Sequence, residues 1–216
     1  MTEVRNFDGA PAEWDAFGAR QAGWTHFHRY GWREVMQTAL GHETIYLAAR
    51  SDGVLEGILP LVRVRSLLFG HYLVSMPFVN YGGPLGSAEA VRALTTEASR
   101  VADASGVKLL ELRSARELPV ELPVSHRKVT VVLDLPNDAD ALMKSFPAKL
   151  RSQVRRPDKE GVTYAVGSDQ VAPFHAVFSR HMRDLGTPNL ARGFFEAIAR
   201  VFPDDAWFGC AWLGGK

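Results

Sequence analysis

The chain contains 216 residues, of which 46% are hydrophobic and 23% are charged, so it can bury a core and is not a disordered chain. Its 25 basic and 24 acidic residues give a net charge of +1, which argues against a DNA-binding protein with a uniformly basic face. The single cysteine, Cys210, excludes a disulfide framework and a zinc site built from several cysteines. The N-terminus carries no secretion signal and no apolar run suits a membrane span, so we predict a cytoplasmic protein.

The first half of the chain predicts a sheet that contains a β-hairpin and a βαβ unit. The predicted elements are a strand at 3–7, a helix from Pro11, a helix at 29–40, strands at 44–49, 54–64 and 72–75, a helix at 88–104 and a strand at 108–112. The turn Ser51-Asp52-Gly53 joins two apolar strands, which is typical of a hairpin. A glycine-rich loop and a helix connect strands 72–75 and 108–112, so these two strands are expected to be parallel.

The second half predicts more helix than strand. Its predicted elements are a strand at 128–135, a helix capped near Asp138, a basic helical stretch at 144–160 that ends around Pro157 and Gly161, a strand at 162–166, helices at 170–184 and 192–201, and a closing strand at 207–213.

Two stretches of 23 residues share one pattern without a gap. They begin at Gly31 and at Gly193, 162 residues apart, and each predicts a helix, a polar loop, an apolar strand and a turn. In the second copy the turn ends the chain, so the strand Trp207–Leu213 would have an unpaired edge. We expect a natural protein to continue past it, and this edge is also a candidate for self-association. The alternative is a strand that simply lies at the edge of a sheet.

Three stretches resemble a known family. They are Phe27–Trp32 (FHRYGW), the basic run Lys149–Gly161, and His181–Pro188 (HMRDLGTP), which precedes Phe194-Phe195. With the order of strands and helices, they resemble the Fem family of aminoacyltransferases, and most closely the Fem-like proteins of exosortase/PEP-CTERM export loci. The resemblance implies an α/β (α+β) acyltransferase fold of the GNAT type in two tandem halves. The first GNAT-like domain would cover residues 1–135, and residues 138–216 would be the N-terminal part of an incomplete second.

The resemblance also implies an enzyme that transfers an acyl or aminoacyl group to an amine of a peptidoglycan or glycan precursor. The donor would be aminoacyl-tRNA or acetyl-CoA, used as a co-substrate, with no tightly bound cofactor. GNAT proteins usually hold the pyrophosphate of CoA with a loop of the form Q/R-x-x-G-x-G/A. The loop here, Asn80–Gly86, departs from that form, and Pro84 has no N–H to donate, which argues against CoA binding by this half.

The basic run is the candidate site for an anion. Its cations are Lys149, Arg151, Arg155, Arg156 and Lys159, five within eleven residues. On a helix, Arg151 and Arg155 lie one turn apart and could bind one phosphate together. This phosphate would belong to a nucleotide-linked or lipid-linked precursor or to the acceptor end of a tRNA. The alternative is a solvated helix face.

Five further residues are candidates for substrate binding. Tyr81, Gly82 and Gly83 could let the backbone approach a ligand closely, although a purely structural turn fits equally well. Tyr30 and Trp32 could line a groove, but the helical spacing of Trp32 with Val35 and Met36 favours a core position.

No metal is predicted, because the histidines have no carboxylate or cysteine at ligand spacing. No catalytic residue can be assigned from the sequence. Two functions therefore stay open: an N-acyl or aminoacyltransferase, or a non-catalytic GNAT-like scaffold that binds an anionic glycan or lipid-linked precursor in an export or polysaccharide pathway.

Overall fold

The computed structural model describes residues 2–66, 70–126 and 129–215 and has the predicted mixed α/β architecture. In chain order the elements are β1 (Glu3–Asn6), α1 (Pro11–Ala19), a 3₁₀ turn (His26–His28), α2 (Trp32–Leu40), β2 (Glu43–Ser51), β3 (Val54–Ser66), β4 (Gly70–Val74), β5 (Leu85–Gly86), α3 (Ala88–Ala104), β6 (Leu109–Glu111), α4 (Ala139–Ser145), α5 (Ala148–Lys159), β7 (Val162–Val166), a 3₁₀ turn (Ser168–Gln170), α6 (Val171–Asp184), α7 (Arg192–Val201) and β8 (Gly209–Leu213). None of the helices among these residues is long and apolar enough to cross a bilayer.

The chain forms two compact units. Unit 1 comprises the residues up to Glu121 together with Gly193–Pro203, and unit 2 comprises Leu122–Arg192 together with the residues from Asp204 onward. The domain boundaries inferred from the sequence resemblance stay a prediction.

Unit 1 contains the main sheet, with strand order β1-β2-β3-β4-β6 and β5 paired with β3. The predicted hairpin is confirmed, because β2 and β3 pair antiparallel around Asp52 and Gly53, both of which have positive φ. The predicted βαβ unit is also confirmed, since β4 and β6 pair in parallel and α3 connects them.

The core of unit 1 covers both faces of β2 and β3. Leu47 and Leu59 pack on the small residues and leucine of α3, while Tyr46 and Ile58 pack on Trp14 of α1. Neighbouring residues therefore point to opposite faces, as strand geometry requires, and each face meets a helix.

Helix α7 also belongs to the core of unit 1. Phe194 and Phe202 are buried, and their rings lie 6.4 Å and 5.3 Å from the ring of Trp32 on α2. At Gly31 a Cβ atom would lie 2.8 Å from Phe202, so the glycine allows this close approach.

Unit 2 holds a two-stranded antiparallel sheet, β7 and β8, with α4, α5 and α6. Phe208 is its buried aromatic residue, and its ring packs edge-on against Phe174 of α6 at 5.4 Å. The small sheet covers little apolar surface, so most side chains of this unit are exposed.

Two predictions for unit 2 are wrong. The strand at 128–135 begins at Lys128, outside the described residues, and 129–135 form no strand. Val131 in this segment is 92% exposed, and an apolar β pattern without a pairing strand does not make a ladder. The helical stretch at 144–160 is interrupted at Phe146, because the residue before Pro147 is driven to extended backbone. Helix α5 ends at Lys159, in line with the predicted end around Pro157 and Gly161, and Pro157 removes an N–H donor only from its last turn.

Candidate functional site

The candidate site lies where the parallel strands β4 and β6 end, at the same edge of the sheet. Ligands of open α/β sheets bind outside the carboxyl ends of parallel strands, in the loops that follow them. A cavity of about 300 Å³ lies among these loops. We call it the glycine pocket, and its lining residues are Gln21–Gly23, His28, Gly83–Gly86, Ala88, Val91 and Ser114–Pro119.

The backbone that follows β4 is strained. Met76 and Phe78 have φ of +54° and +68°, in the left-handed region that side chains disfavour. Gly82 has φ of +145°, and a Cβ there would lie 2.4 Å from Cγ of Met76, so only glycine fits. Strain of this kind persists only where surrounding contacts enforce it, and it concentrates at functional sites.

Arg113, which follows β6, supplies these contacts. Its backbone N–H donates to Oγ of the buried Ser75 at 2.7 Å. Its carbonyl accepts the N–H groups of Gly82 and Gly83 at 3.1 and 2.7 Å. Its guanidinium donates to the carbonyl of Val79 at 2.8 Å. Arg113 therefore connects the strained segment, residues 75–83, to the end of β6 through hydrogen bonds near both of its ends.

His28 closes the glycine pocket from the opposite side. It ends the 3₁₀ turn, its side chain is 2% exposed, and its Nε2 lies 3.0 Å from the carbonyl oxygen of Gly83. Burial lowers the pKa of His28 below its ordinary value of 6.5, so the imidazole is neutral at pH 7.

A second cavity of about 530 Å³ in unit 1 is lined by guanidinium and aromatic groups, and we call it the arginine pocket. Its lining residues are Pro11, Asp15, Arg29–Gly31, Arg33, Glu34, Gln37, Val201 and Phe202. The Arg33 guanidinium lies 5.6 Å above the ring of Tyr30 and donates to its hydroxyl group. Asp15 accepts the backbone N–H of Tyr30 at 2.7 Å, which fixes the position of that ring.

The charges of the arginine pocket are unevenly compensated. The Arg29 guanidinium lies 4.0 Å from the Asp15 carboxylate, and Glu34 pairs with Arg200 at 2.5 Å. Arg33 has the Tyr30 hydroxyl and two ring faces as its neighbours, but no carboxylate among the described residues. The pocket can therefore receive an anion next to aromatic surface.

The predicted cationic helix face is present on α5, in unit 2. Lys149, Arg155 and Lys159 are exposed and make no hydrogen bond or ion pair with the described residues. Arg151 is half-buried and donates to the carbonyl of Phe146 at 2.5 Å, while Arg156 pairs with Glu160 at 2.7 Å. The helix therefore presents three uncompensated cations and one partly engaged arginine.

The remaining predicted residues lie in three places: the glycine pocket with its loop, the arginine pocket, and the core of unit 1. Gly83 lines the glycine pocket, with Gly82 directly before it and Tyr81 half-buried in the same loop. Tyr30 lines the arginine pocket. Trp32 is 3% exposed and supports the packing of α7, in line with its helical spacing.

Sequence reasoning missed Arg113 and Arg33, and it treated His28 only as part of a motif. Arg113 directly follows the strand predicted at 108–112, and Arg33 lies within the helix predicted at 29–40. Their roles depend on which loops the fold brings to them, and no local pattern encodes that.

Comparison with known proteins identifies the fold. No protein-family model and no curated protein matches the sequence. A crystal structure of FemX is similar, with a TM-score of 0.65 and 17% sequence identity. The similarity covers 98% of this chain and 58% of the FemX chain, so the chain spans less than two thirds of FemX. The chain therefore has a Fem-like α/β fold.

Proposed function

We propose that the chain takes part in the transfer of an aminoacyl group to an amine of a peptidoglycan or glycan precursor. The observation that carries the proposal is the similarity to FemX along 98% of the chain. The three sequence stretches that resemble the Fem aminoacyltransferases also support it. The cytoplasmic location inferred from the sequence stays a prediction, as does the association with exosortase/PEP-CTERM loci implied by the resemblance.

The backbone of the loop Asn80–Gly86, which we call the glycine loop, favours aminoacyl-tRNA over acetyl-CoA as the donor. Binding of a pyrophosphate needs free N–H groups at the start of a helix. Here Gly82 and Gly83 donate their N–H groups to Arg113, and Ser87 donates its N–H to the carbonyl of Glu56. Pro84 has no N–H. Few backbone donors of this loop are therefore left for a pyrophosphate.

The glycine pocket suits the reacting groups. Attack of a neutral amine on an ester depends mainly on orientation and on removal of a proton, without a protein nucleophile. Glu117 contributes the carboxylate in the pocket lining, and Arg116 contributes a cation next to it. We propose that Glu117 orients the amine and accepts its proton as the amide bond forms. The ester bond to the tRNA ribose then breaks, and the proton passes from Glu117 to the leaving ribose oxygen.

The anionic part of the precursor, or the tRNA acceptor end, would be bound by guanidinium groups. The arginine pocket in unit 1 provides the Arg33 guanidinium, and the α5 face in unit 2 provides the exposed cations Lys149, Arg155 and Lys159. Guanidinium groups bind phosphate with paired, charge-assisted hydrogen bonds.

The proposal is tested by label transfer with the whole chain. Aminoacyl-tRNA and acetyl-CoA, each carrying a labelled acyl group, are offered with nucleotide-linked precursor as acceptor. We expect label from aminoacyl-tRNA to reach the precursor amine, at a rate that falls about 100-fold in Glu117→Gln. Glu121→Gln, an exposed glutamate nearby in sequence, is the matched control. Precursor binding without transfer from either donor would instead establish the scaffold function.

A further inference from the structure

Buried polar side chains fix the backbone that forms one wall of the glycine pocket. Three polar side chains are buried in the described part of the chain: His28, Ser75 and Thr95. His28 lies at hydrogen-bond distance from Gly83, and Ser75 binds the backbone of Arg113, which in turn binds Gly82 and Gly83. A buried polar group costs free energy unless it is satisfied, so two such groups acting on one loop mark a geometry that the fold specifies.

The hydrogen bonds of His28 define its protonation. The backbone N–H of Thr25 lies 3.0 Å from Nδ1, and a backbone N–H can only donate, so Nδ1 is the acceptor. The proton of the neutral ring is then on Nε2, which donates to the carbonyl of Gly83 at 3.0 Å. The same residue thus closes the 3₁₀ turn at Thr25 and reaches across to the glycine loop.

Gly83 is consequently held through both of the peptide groups that it joins. Its N–H donates to Arg113 at 2.7 Å and its carbonyl accepts from His28. Pro84 follows immediately and restricts its own φ. The wall of the pocket at Gly83 has therefore little freedom to move while both bonds are made.

We infer that His28 is a positioning residue, which sets the wall of the glycine pocket through its hydrogen bond to the carbonyl of Gly83. This inference rests on the proposed function for its catalytic meaning, because a precise wall matters where an amine must be oriented. Its structural content, the control of the Gly82–Gly83 backbone by the His28 ring, is independent of which reaction takes place.

Two substitutions separate the two hydrogen bonds of His28. His28→Gln places an amide N–H near the position of Nε2 and can keep the bond to Gly83, but it lacks an acceptor for Thr25. His28→Asn places a carbonyl near the position of Nδ1 and can keep the bond to Thr25, but it is too short for Gly83. Both variants are neutral and polar, so burial of the side chain costs a similar amount in each.

Amide hydrogen exchange, measured by NMR on the whole chain, reports directly how well the amide protons of Gly82 and Gly83 are protected. In His28→Asn we expect exchange at Gly82 and Gly83 to become about fivefold faster, while His28→Gln stays near the parent. Leu59 and Leu61 in the core of β3 report global stability and should exchange alike in both variants. His71→Gln, on β4, is the control for replacement of a histidine in unit 1.

Equal exchange at the two glycines in the Asn and Gln variants would overturn the inference, as would faster exchange at Leu59 and Leu61 alone. In the transfer assay, kcat should fall in His28→Asn and recover in His28→Gln, with the KM for the precursor unchanged. If the parent transfers no label but the His28→Asn and His28→Gln variants show the expected difference in exchange, the proposed function fails and the positioning role stands.

Discussion

The two antiparallel strand pairs, β1–β2 in unit 1 and β7–β8 in unit 2, are built on the same sequence order. In each pair the chain leaves the first strand, forms two helices and returns along it, with Glu3 opposite Arg50 and Val162 opposite Leu213. Their surroundings differ. Tyr46–Ala49 of β2 are at most 4% exposed, whereas β8 alternates between half-buried and exposed residues.

The difference lies in what covers each pair. Strand β2 has β1 and β3 as neighbours, with α1 on one face and α3 on the other. Strand β8 pairs with β7 among the described strands, and α6 packs against it. Local sequence thus determines the strand pair, but burial, at ~25 cal/mol per Å² of apolar surface, depends on non-local partners. Unit 1 should therefore carry most of the stability of the chain.

The sharpest test of this comparison replaces one tryptophan in each unit. Trp14 is completely buried and donates to the carbonyl of His28 at 2.7 Å, whereas Trp207 is 76% exposed. We expect Trp14→Ala to lower the free energy of unfolding by ~3–5 kcal/mol and Trp207→Ala to change it by less than ~0.5 kcal/mol, measured by urea denaturation. Equal losses would show that Trp207 contributes as much as the buried Trp14 and would contradict the comparison.

The next effect concerns the strained end of β4. Gly82→Ala would place its Cβ atom 2.4 Å from Cγ of Met76, at a φ that alanine also disfavours. Gly106→Ala is the matched control, since Gly106 has φ of +60° but nothing within 4 Å of its Cβ position. We expect thermal unfolding to report a loss of ~3 kcal/mol for Gly82→Ala and ~1 kcal/mol for Gly106→Ala. If both variants lose the same amount, backbone strain alone explains them and the contact with Met76 does not matter.

The parts of the fold predicted from sequence are those set by short-range signals. The Asp52-Gly53 turn, the stop at Gly41 and the cap at Asp138 all lie where the sequence indicates. Helix α3 has the predicted bounds, 88–104. The segment 129–135 has an equally strong apolar pattern and yet forms no strand, because a ladder needs a partner that the pattern does not contain.

The candidate site was predictable to a smaller extent. The α5 cations share one helix, so their spacing along the sequence places them together. The glycine pocket is different, because Gly83, Arg113 and His28 are far apart in sequence. The pairing of β4 with β6 brings Arg113 to the loop of Gly83, and His28 reaches that loop from the 3₁₀ turn. A lone histidine or arginine carries no local signal of such a contact.

The cations of α5 provide a test that leaves the core of both units intact. We expect the double variant Arg151→Ala with Arg155→Ala to bind the anionic precursor or tRNA ~2 kcal/mol more weakly, because charge-assisted contacts are lost. Arg156→Ala is the control, since Arg156 already pairs with Glu160. Titration at two salt concentrations measures the effect, and far-UV circular dichroism checks the helix. Unchanged affinity, with the spectrum of the parent, would assign these residues to a solvated face.

The smallest expected effect is the pH dependence of stability, which should also come from unit 1. Burial lowers the pKa of His28 and of His42 below the ordinary 6.5. His28 bonds to the carbonyl of Gly83, and the His42 ring stacks on the ring of Phe78. At a pH below 6.5 the unfolded chain therefore binds more protons than the folded chain, and the free energy of unfolding falls as the pH decreases through this value. Above pH 7.5 both histidines are neutral in either state and this contribution is constant.

We expect the urea midpoint to decrease between pH 7.5 and pH 5.5 in the parent, and to decrease less in His28→Gln, whose side chain does not titrate. His181→Gln, at an exposed position of α6 in unit 2, should keep the slope of the parent. A slope that is the same in the parent and in His28→Gln would show that His28 does not govern the acid sensitivity of unit 1.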